Sequence, residues 1–161
     1  MSMEKVKQYL DDQQAKYVIM KHSKAYTAQE IAAAAHIPGK HFAKTVVVKI
    51  DGKLAFAVLP ATDHVHTEKL AKSAGAKSVE LAEEKDFKDS FPDCELGAMP
   101  PFGNLFDMEV FVSPHLTEAD MIAFSAGSHT EVMQLSYSDF EKLVNPAVVE
   151  FSIIRDGTHR R

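Results

Sequence analysis

The sequence predicts an α/β domain of the α+β kind, with a mixed sheet and flanking helices. Three observations predict it. Segments with helical spacing alternate irregularly with β-branched and aromatic runs. Two such runs meet at Asp51-Gly52, the strongest short-range hairpin signal. No long Gly/Ser/Pro-rich stretch, internal repeat or low-complexity tract divides the chain. Frequent hairpins argue against a doubly wound parallel sheet, in which every strand needs a long crossover. The 161 residues suffice for one domain with a real core, so a single domain over 1–161 is expected.

The elements follow in order. Met3, Val6 and Leu10 recur at helical spacing, so residues 3–14 read as an amphipathic helix. "KYVIMKH", residues 16–22, is a β-branched and aromatic run and reads as a strand. Thr27 with Glu30 forms a capping box that opens an alanine-rich helix ending near Pro38-Gly39. "KTVVVKI" and "KLAFAVLP" flank Asp51-Gly52, and both faces of the first run are largely apolar, which makes this hairpin central. A helix begins at Thr67 and runs through Leu70, Ala71 and Ala74 to Gly75. "KSVEL", 77–81, is a short strand, and "AEEKDFKDSF", 82–91, an acidic helix that stops before Pro92. "MEVFVS", 108–113, is a strand, and "MIAFSAG" and "HTEVMQLS" are two more, turned by Gly127-Ser128. Ser136 with Asp139 starts a helix through Phe140 and Leu143. The tail "FSIIRDGTHRR" is read as a final strand and a basic end.

Composition is ordinary for a globular chain, at 45% hydrophobic and 25% charged. No apolar run approaches the roughly 20 residues of a membrane span, and the charged start "MSMEKVKQYLDDQQAK" has no signal-peptide apolar region. No membrane partner and a cytoplasmic location are therefore expected. The lone Cys94 excludes an intramolecular disulfide. A net charge of −5 does not advertise nucleic-acid binding. Locally, "KHSK" (21–24) and "GKHFAK" (39–44) are basic and "ELAEEKDFKD" (80–89) acidic. A polarised surface and scattered solvated charges are both open readings.

Several chemistries lack their residues. There is no GxxxxGK[ST] or GxGxxG phosphate loop and no GxSxG elbow. Ser125 and Ser128 lie near His129 in the chain, which is a poor guide to a triad. "DHVH", residues 63–66, sets His64 and His66 on one side if extended, yet a zinc site needs three or four ligands and no further well-spaced partner exists. Cys94 sits between acids in "FPDCEL", which raise a thiol pKa rather than activate it.

One stretch is unlike the rest. "LGAMPPFGNLF", 96–106, carries two prolines and two glycines in an otherwise apolar, uncharged run. A surface turn would be polar, and neither a strand nor a helix holds Pro-Pro in its interior. It is a rigid turn packed on the core or a shaped ligand cradle.

Three segments in order, "HFAKTVVVKIDGKLAFAVLPAT", "LGAMPPFG" and "AGSHTEVMQLSYSDFEKLV", together resemble the YbaK/prolyl-tRNA-synthetase-associated editing domain family over roughly residues 20–145. The resemblance implies a curved, barrel-like mixed sheet with flanking helices. It also implies hydrolysis in trans of tRNA mischarged with a small amino acid by a freestanding aminoacyl-tRNA deacylase. The family lysine falls on Lys44 and the GxxxP loop on Gly97 through Pro101. Cysteine-clearing members resemble Gly-Gly-x-Ser-Pro there, whereas Gly97-Ala98-Met99-Pro100-Pro101-Phe102-Gly103 is closer to the alanine-type deacylases.

The resemblance and the residues meet on the loop. Ester hydrolysis builds negative charge on a carbonyl oxygen, which fixed backbone N–H groups stabilise. The N–H groups of Gly97, Ala98 and Met99 are the expected donors, and Pro100 and Pro101 have none to give. Lys44 is expected to bind the terminal phosphate or ribose region as a point charge; a solvated strand-edge lysine is the plain alternative. Thr45, His129, Pro101 and Phe102 are expected against the substrate, with Phe56 as a further wall and Lys40 or His41 on phosphate. A structural role for His129 stands beside this. Water is the expected nucleophile, with no cofactor and no metal. The expected partner is the aminoacylated tRNA acceptor end, bound weakly by a −5 domain and aided by a synthetase; a monomer is the default. A non-catalytic module that binds a tRNA end or small ligand is the competing reading.

Overall fold

The computed structural model describes residues 3–23, 25, 27–91, 95 and 97–154. The expectations for Lys24, Pro92, Cys94, Leu96 and the basic end 155–161 lie outside them.

Helix α1, Met3–Asp12, buries Val6 and Leu10 completely, one turn apart on a single face. Strand β1, Tyr17–Lys21, follows. Helix α2, Ala28–Ala34, opens on the capping box: the Glu30 N–H donates to Thr27 Oγ1 at 3.0 Å, and the Thr27 N–H to Glu30 Oε1 at 3.2 Å. It stops before Pro38. His36 takes φ +60°, and the Ile37 and His36 N–H groups fold back onto Ala32 and Ala33, closing the last turn as a Schellman motif.

Strands β2, Ala43–Ile50, and β3, Lys53–Pro60, pair antiparallel from Ala43–Pro60 to Ile50–Lys53. Asp51 and Gly52, at φ +50° and +87°, supply the two positive-φ positions of a two-residue hairpin. Strand β4, Asp63–Val65, and helix α3, Thr67–Ala74, come next, and Gly75 ends the helix at φ +70°. Strand β5 is Val79–Leu81; the acidic helix is a single turn, α4, Glu84–Phe87. Strand β6, Val110–Val112, precedes the hairpin of β7, Met121–Ser125, and β8, Glu131–Ser136. The Ser136 hydroxyl caps α5, Tyr137–Val144. Two short strands close the described chain, β9, Ala147–Val148, and β10, Ser152–Ile154.

The strands form a five-stranded sheet of order β5-β2-β3-β6-β9, a three-stranded sheet β1-β8-β7 and a two-stranded sheet β10-β4. The first is mixed: β3–β6 and β6–β9 are parallel, while its other pairs are antiparallel. The α+β class and the central hairpin hold, but the expected barrel-like sheet does not. The large sheet is open, ending on β5 and β9, and among the described residues its backbone link toward the three-stranded sheet is an isolated bridge between Phe42 and Ala123. Closure needs a continuous ladder around the ring, and edge strands of three and two residues cannot carry one.

Both faces of the hairpin are buried. Val47, Phe56 and Val58 pack with α1, Phe102, Phe124 and Phe140 on one side; Val48, Ala57 and Leu59 pack with Leu70, Phe111 and Phe151 on the other. A third cluster of Ile31, Ala32, Phe42, Ala61, Ala123 and Val132 seats α2 over the start of β2 and the β7–β8 hairpin. That seat brings α2, β2 and β7 to one place.

Candidate functional site

The uncharged loop is pinned from both directions. The Ala98 N–H donates to the Glu95 carbonyl at 3.0 Å, the Glu95 N–H to the Gly127 carbonyl at 2.9 Å, and the Gly127 N–H to the Ala98 carbonyl at 2.8 Å. Loop and β7–β8 turn are thus tied by their backbones. Gly97 sits at φ +84°, where a side chain is strained. Gly103 is glycine for a different reason: a Cβ there would lie 2.5 Å from Val110 Cγ2 and 2.6 Å from the Met108 carbonyl oxygen.

Most of the loop faces inward. Ala98, Met99, Pro100, Pro101 and Phe102 are buried, whereas Gly97 is exposed. The Phe102 ring meets Phe124 and Phe140 edge-on, with centroids 5.5 and 5.7 Å away, and Phe56 packs edge-on against Phe106 and tilted against Phe91. Phe102 and Phe56 therefore stand in the core, and the lack of polar residues in the loop follows from that packing.

Gly97 and Met99 instead line a small cavity with Lys44 and Thr45 of β2 and Ser125 at the end of β7. Ala28 and Ile31 of α2, with Phe42 and Ala43, form its apolar wall; its volume is about 30 Å³. A shallower depression of about 320 Å³ continues from Lys44 past Ala61 to Thr27 and Gln29 at the start of α2. One polar atom in the cavity wall is conspicuous. Thr45 Oγ1 is buried and has no hydrogen-bond partner among the described residues. A buried hydroxyl left unpaired costs about 1–3 kcal/mol, so it marks a place where something else supplies the partner.

His129 is buried behind the loop. Its N–H donates to Glu95 Oε1 at 2.8 Å, and its ring lies against Gly97. Pro101 is buried one residue before the core ring. Among the described residues, His129, Pro101 and Phe102 are not part of the small cavity's wall.

The "DHVH" segment divides its residues among different tasks. His66 caps α3, its Nδ1 accepting the Lys69 N–H at 3.2 Å; His64 is buried; and Asp63 accepts from His115 Nδ1 at 2.5 Å. No group of three metal-ligating side chains occurs among the described residues, and no helix described is long and apolar enough to cross a membrane.

The aminoacyl-tRNA editing domain model matches residues 22–143, which carry every element of this site. The chain belongs to that family. This editing domain is 30% identical over 114 residues to a Multifunctional Ser/Thr-tRNA deacylase ProXp-y of Escherichia coli K12, covering 68% of each chain. It is 28% identical over 103 residues to a proline–tRNA ligase of Bacillus mycoides, a match that spans 64% of this chain but 18% of the ligase. Two solved structures share the fold. One is a hypothetical protein at TM-score 0.82 and 17% identity, covering 92% of this chain and 99% of its own. The other is a candidate trans-editing enzyme for prolyl tRNA synthetase at TM-score 0.79 and 15% identity, covering 94% and 96%.

The editing domain's small cavity is lined by Lys44, Thr45, Gly97 and Met99, which the sequence put forward as site residues, and by Ala28, Ile31, Phe42, Ala43 and Ser125, which it did not. Ser125 did carry a signal, as the one hydroxyl in the apolar run "MIAFSAG". Glu95, whose carboxylate latches the His129 backbone, carried none.

Proposed function

We propose that the chain is an aminoacyl-tRNA deacylase, acting in trans on tRNA mischarged with a small amino acid. The observation that carries the reading is the unpartnered Thr45 hydroxyl in a cavity of about 30 Å³ walled by Lys44, Gly97, Met99 and Ser125. Beside the roughly 150 Å³ of a cavity that takes up benzene, that volume is small. It suits a methyl or hydroxymethyl side chain, which supports alanine or serine over bulkier residues. The likeness to a Ser/Thr-tRNA deacylase supports the same range.

In this reading the ester carbonyl lies over Gly97, and the amino acid side chain points toward Ile31 and Ala28. Thr45 and Ser125 hydroxyls hydrogen-bond the aminoacyl group. The N–H groups of Gly97 and Met99 face the developing oxyanion; that of Ala98, spent on Glu95, acts by holding the loop's shape. Lys44 binds phosphate or ribose of the terminal nucleotide, a role for a fixed positive charge. Water attacks the carbonyl carbon, the carbon–oxygen bond to the ribose breaks, and the water's proton passes to the departing ribose oxygen, relayed by the vicinal ribose hydroxyl. Positioning and preorganised dipoles supply the acceleration. His129 is a positioning residue behind Gly97.

The test is deacylation of alanyl-, seryl- and cysteinyl-tRNA for proline, with correctly charged controls and a chelator present. Hydrolysis of alanyl- or seryl-tRNA that survives chelation is expected. A folded protein that hydrolyses no member of the panel overturns the reading in favour of a binding module.

A further inference from the structure

Beyond the small cavity lies a larger one of about 470 Å³, lined by Lys40, His41, Thr62, Asp63, His115 and Glu118 among others. Its floor is an ordered polar network. Asp63, 2% exposed, accepts from Thr62 Oγ1 at 3.1 Å on one oxygen, and from Ser152 Oγ at 2.9 Å and His115 Nδ1 at 2.5 Å on the other. Ser113 Oγ lies 2.7 Å from Ser152 Oγ and accepts the His115 N–H at 3.1 Å. Three segments distant in sequence, 62–63, 113–115 and Ser152, thus converge on one carboxylate.

This arrangement does something specific to His115. Its Nδ1 is committed to Asp63, so the ring is held in one orientation and Nε2 remains on its other edge. Nε2 has no protein partner among the described residues, and the side chain is 35% exposed. A carboxylate that orients an imidazole and sustains its charge makes it a fixed donor. Lys40 and His41 belong to the 3-10 turn Gly39–His41 and add two more donors. With His115 charged against Asp63, Lys40 is set against Glu118, so the cavity offers directed donors with little net charge. So modest a balance suits a singly charged phosphodiester better than a polyphosphate.

Position gives the phosphate a source. Pro60 and Thr62 line this cavity, while Ala61 between them lines the depression that leads to Lys44. The two hollows are therefore neighbours along residues 60–62. We propose that this cavity is a nucleotide-phosphate subsite, in which Lys40, His41 and His115 hold a phosphate of the single-stranded acceptor end upstream of the ester. The identity of the strand rests on the deacylase reading; the existence of the site does not.

The experiment therefore uses binding, not turnover. An unacylated RNA minihelix with a single-stranded 3′ end, and separately 5′-AMP, are titrated against the full chain at several salt concentrations. Wild type, Lys40→Ala, His115→Asn and Glu118→Gln are compared. Lys40→Ala and His115→Asn are expected to weaken minihelix binding about tenfold and to lower the salt slope by about one each. Glu118→Gln is expected to tighten binding, a gain that no folding defect can produce. The same pattern with 5′-AMP supports the site with a free nucleotide as its occupant. Affinities that none of the three substitutions alters, or no binding of either probe to wild type, overturn the proposal. Deacylation in the presence of that negative result leaves the deacylase reading standing and removes the subsite alone.

Discussion

The backbone of Gly97 and the ring of His129 lie back to back: a Cβ built on Gly97 would stand 3.6 Å from His129 Cε1. That is ordinary van der Waals contact, so the space beside Gly97 admits a methyl group. The backbone does not, because φ is +84°. Sterics and conformation therefore separate cleanly at this position.

Gly97→Ala is expected to cost about 1 kcal/mol, the order of the penalty for a side chain in left-handed backbone. In a chain of this size that lowers the melting temperature by about 2–4 °C. Deacylation is expected to fall by far more than the lost stability accounts for, since relaxing φ re-aims the Gly97 and Met99 N–H groups, and one oxyanion donor is worth about 10²–10³ in kcat. Calorimetry beside single-turnover deacylation decides it. A variant with wild-type turnover and reduced stability would reduce the loop to a structural turn.

Thr45→Val makes the opposite dissociation. The hydroxyl is buried without a protein partner, so replacing it with a methyl removes a desolvation penalty and loses no hydrogen bond. Stability in urea is expected to stay level or rise. Deacylation is expected to drop about tenfold, the loss of roughly one substrate hydrogen bond. Loss of stability in Thr45→Val would mean that the hydroxyl serves the fold.

The elements legible in the sequence were those whose cause is local. The Thr27–Glu30 box, the Asp51-Gly52 turn and the Gly75 stop each fix backbone geometry within a few residues, and each stands where expected. Sheet closure was not legible. Whether β5 and β9 end a sheet depends on partners far away in the chain, and two- or three-residue strands leave almost no period to read. The site divides the same way. Lys44, Thr45 and Gly97 were found through the family pattern, yet Phe102 turned into the core because an irregular loop has no face that spacing can predict. The contacts of Asp63 with His115 and Ser152 span 52 and 89 residues, beyond any motif.

Ile31→Val tests the size of the aminoacyl pocket. Ile31 is 1% exposed and forms part of the apolar wall of the small cavity. Removing one methylene costs about 0.5–1.5 kcal/mol of stability, which the fold tolerates. One methylene of pocket space is worth about 1–3 kcal/mol in discrimination. The ratio of threonyl- to seryl-tRNA hydrolysis is therefore expected to rise at least about tenfold. An unchanged ratio across a panel graded by side-chain size would place the aminoacyl group elsewhere.

The Asp63–His115 pair predicts a pH dependence of stability. The hydrogen bond to Asp63 raises the His115 pKa above its ordinary value; burial opposes this, and the charges of Asp63, Glu150 and Glu118 add to it. Lys40 and His41, which share the cavity, are the other titratable groups on this side. A raised folded pKa means that the folded state holds its proton more tightly than the unfolded chain does. The contribution is thus complete below the unfolded histidine value of about 6.5 and is lost as pH rises through the folded value. Urea midpoints of wild type and His115→Gln, measured from pH 5 to 9, are expected to converge as pH increases, because only wild type loses the charged pair. The difference between the two curves cancels the other histidines, and parallel curves would mean that His115 is not charged against Asp63 in the folded protein.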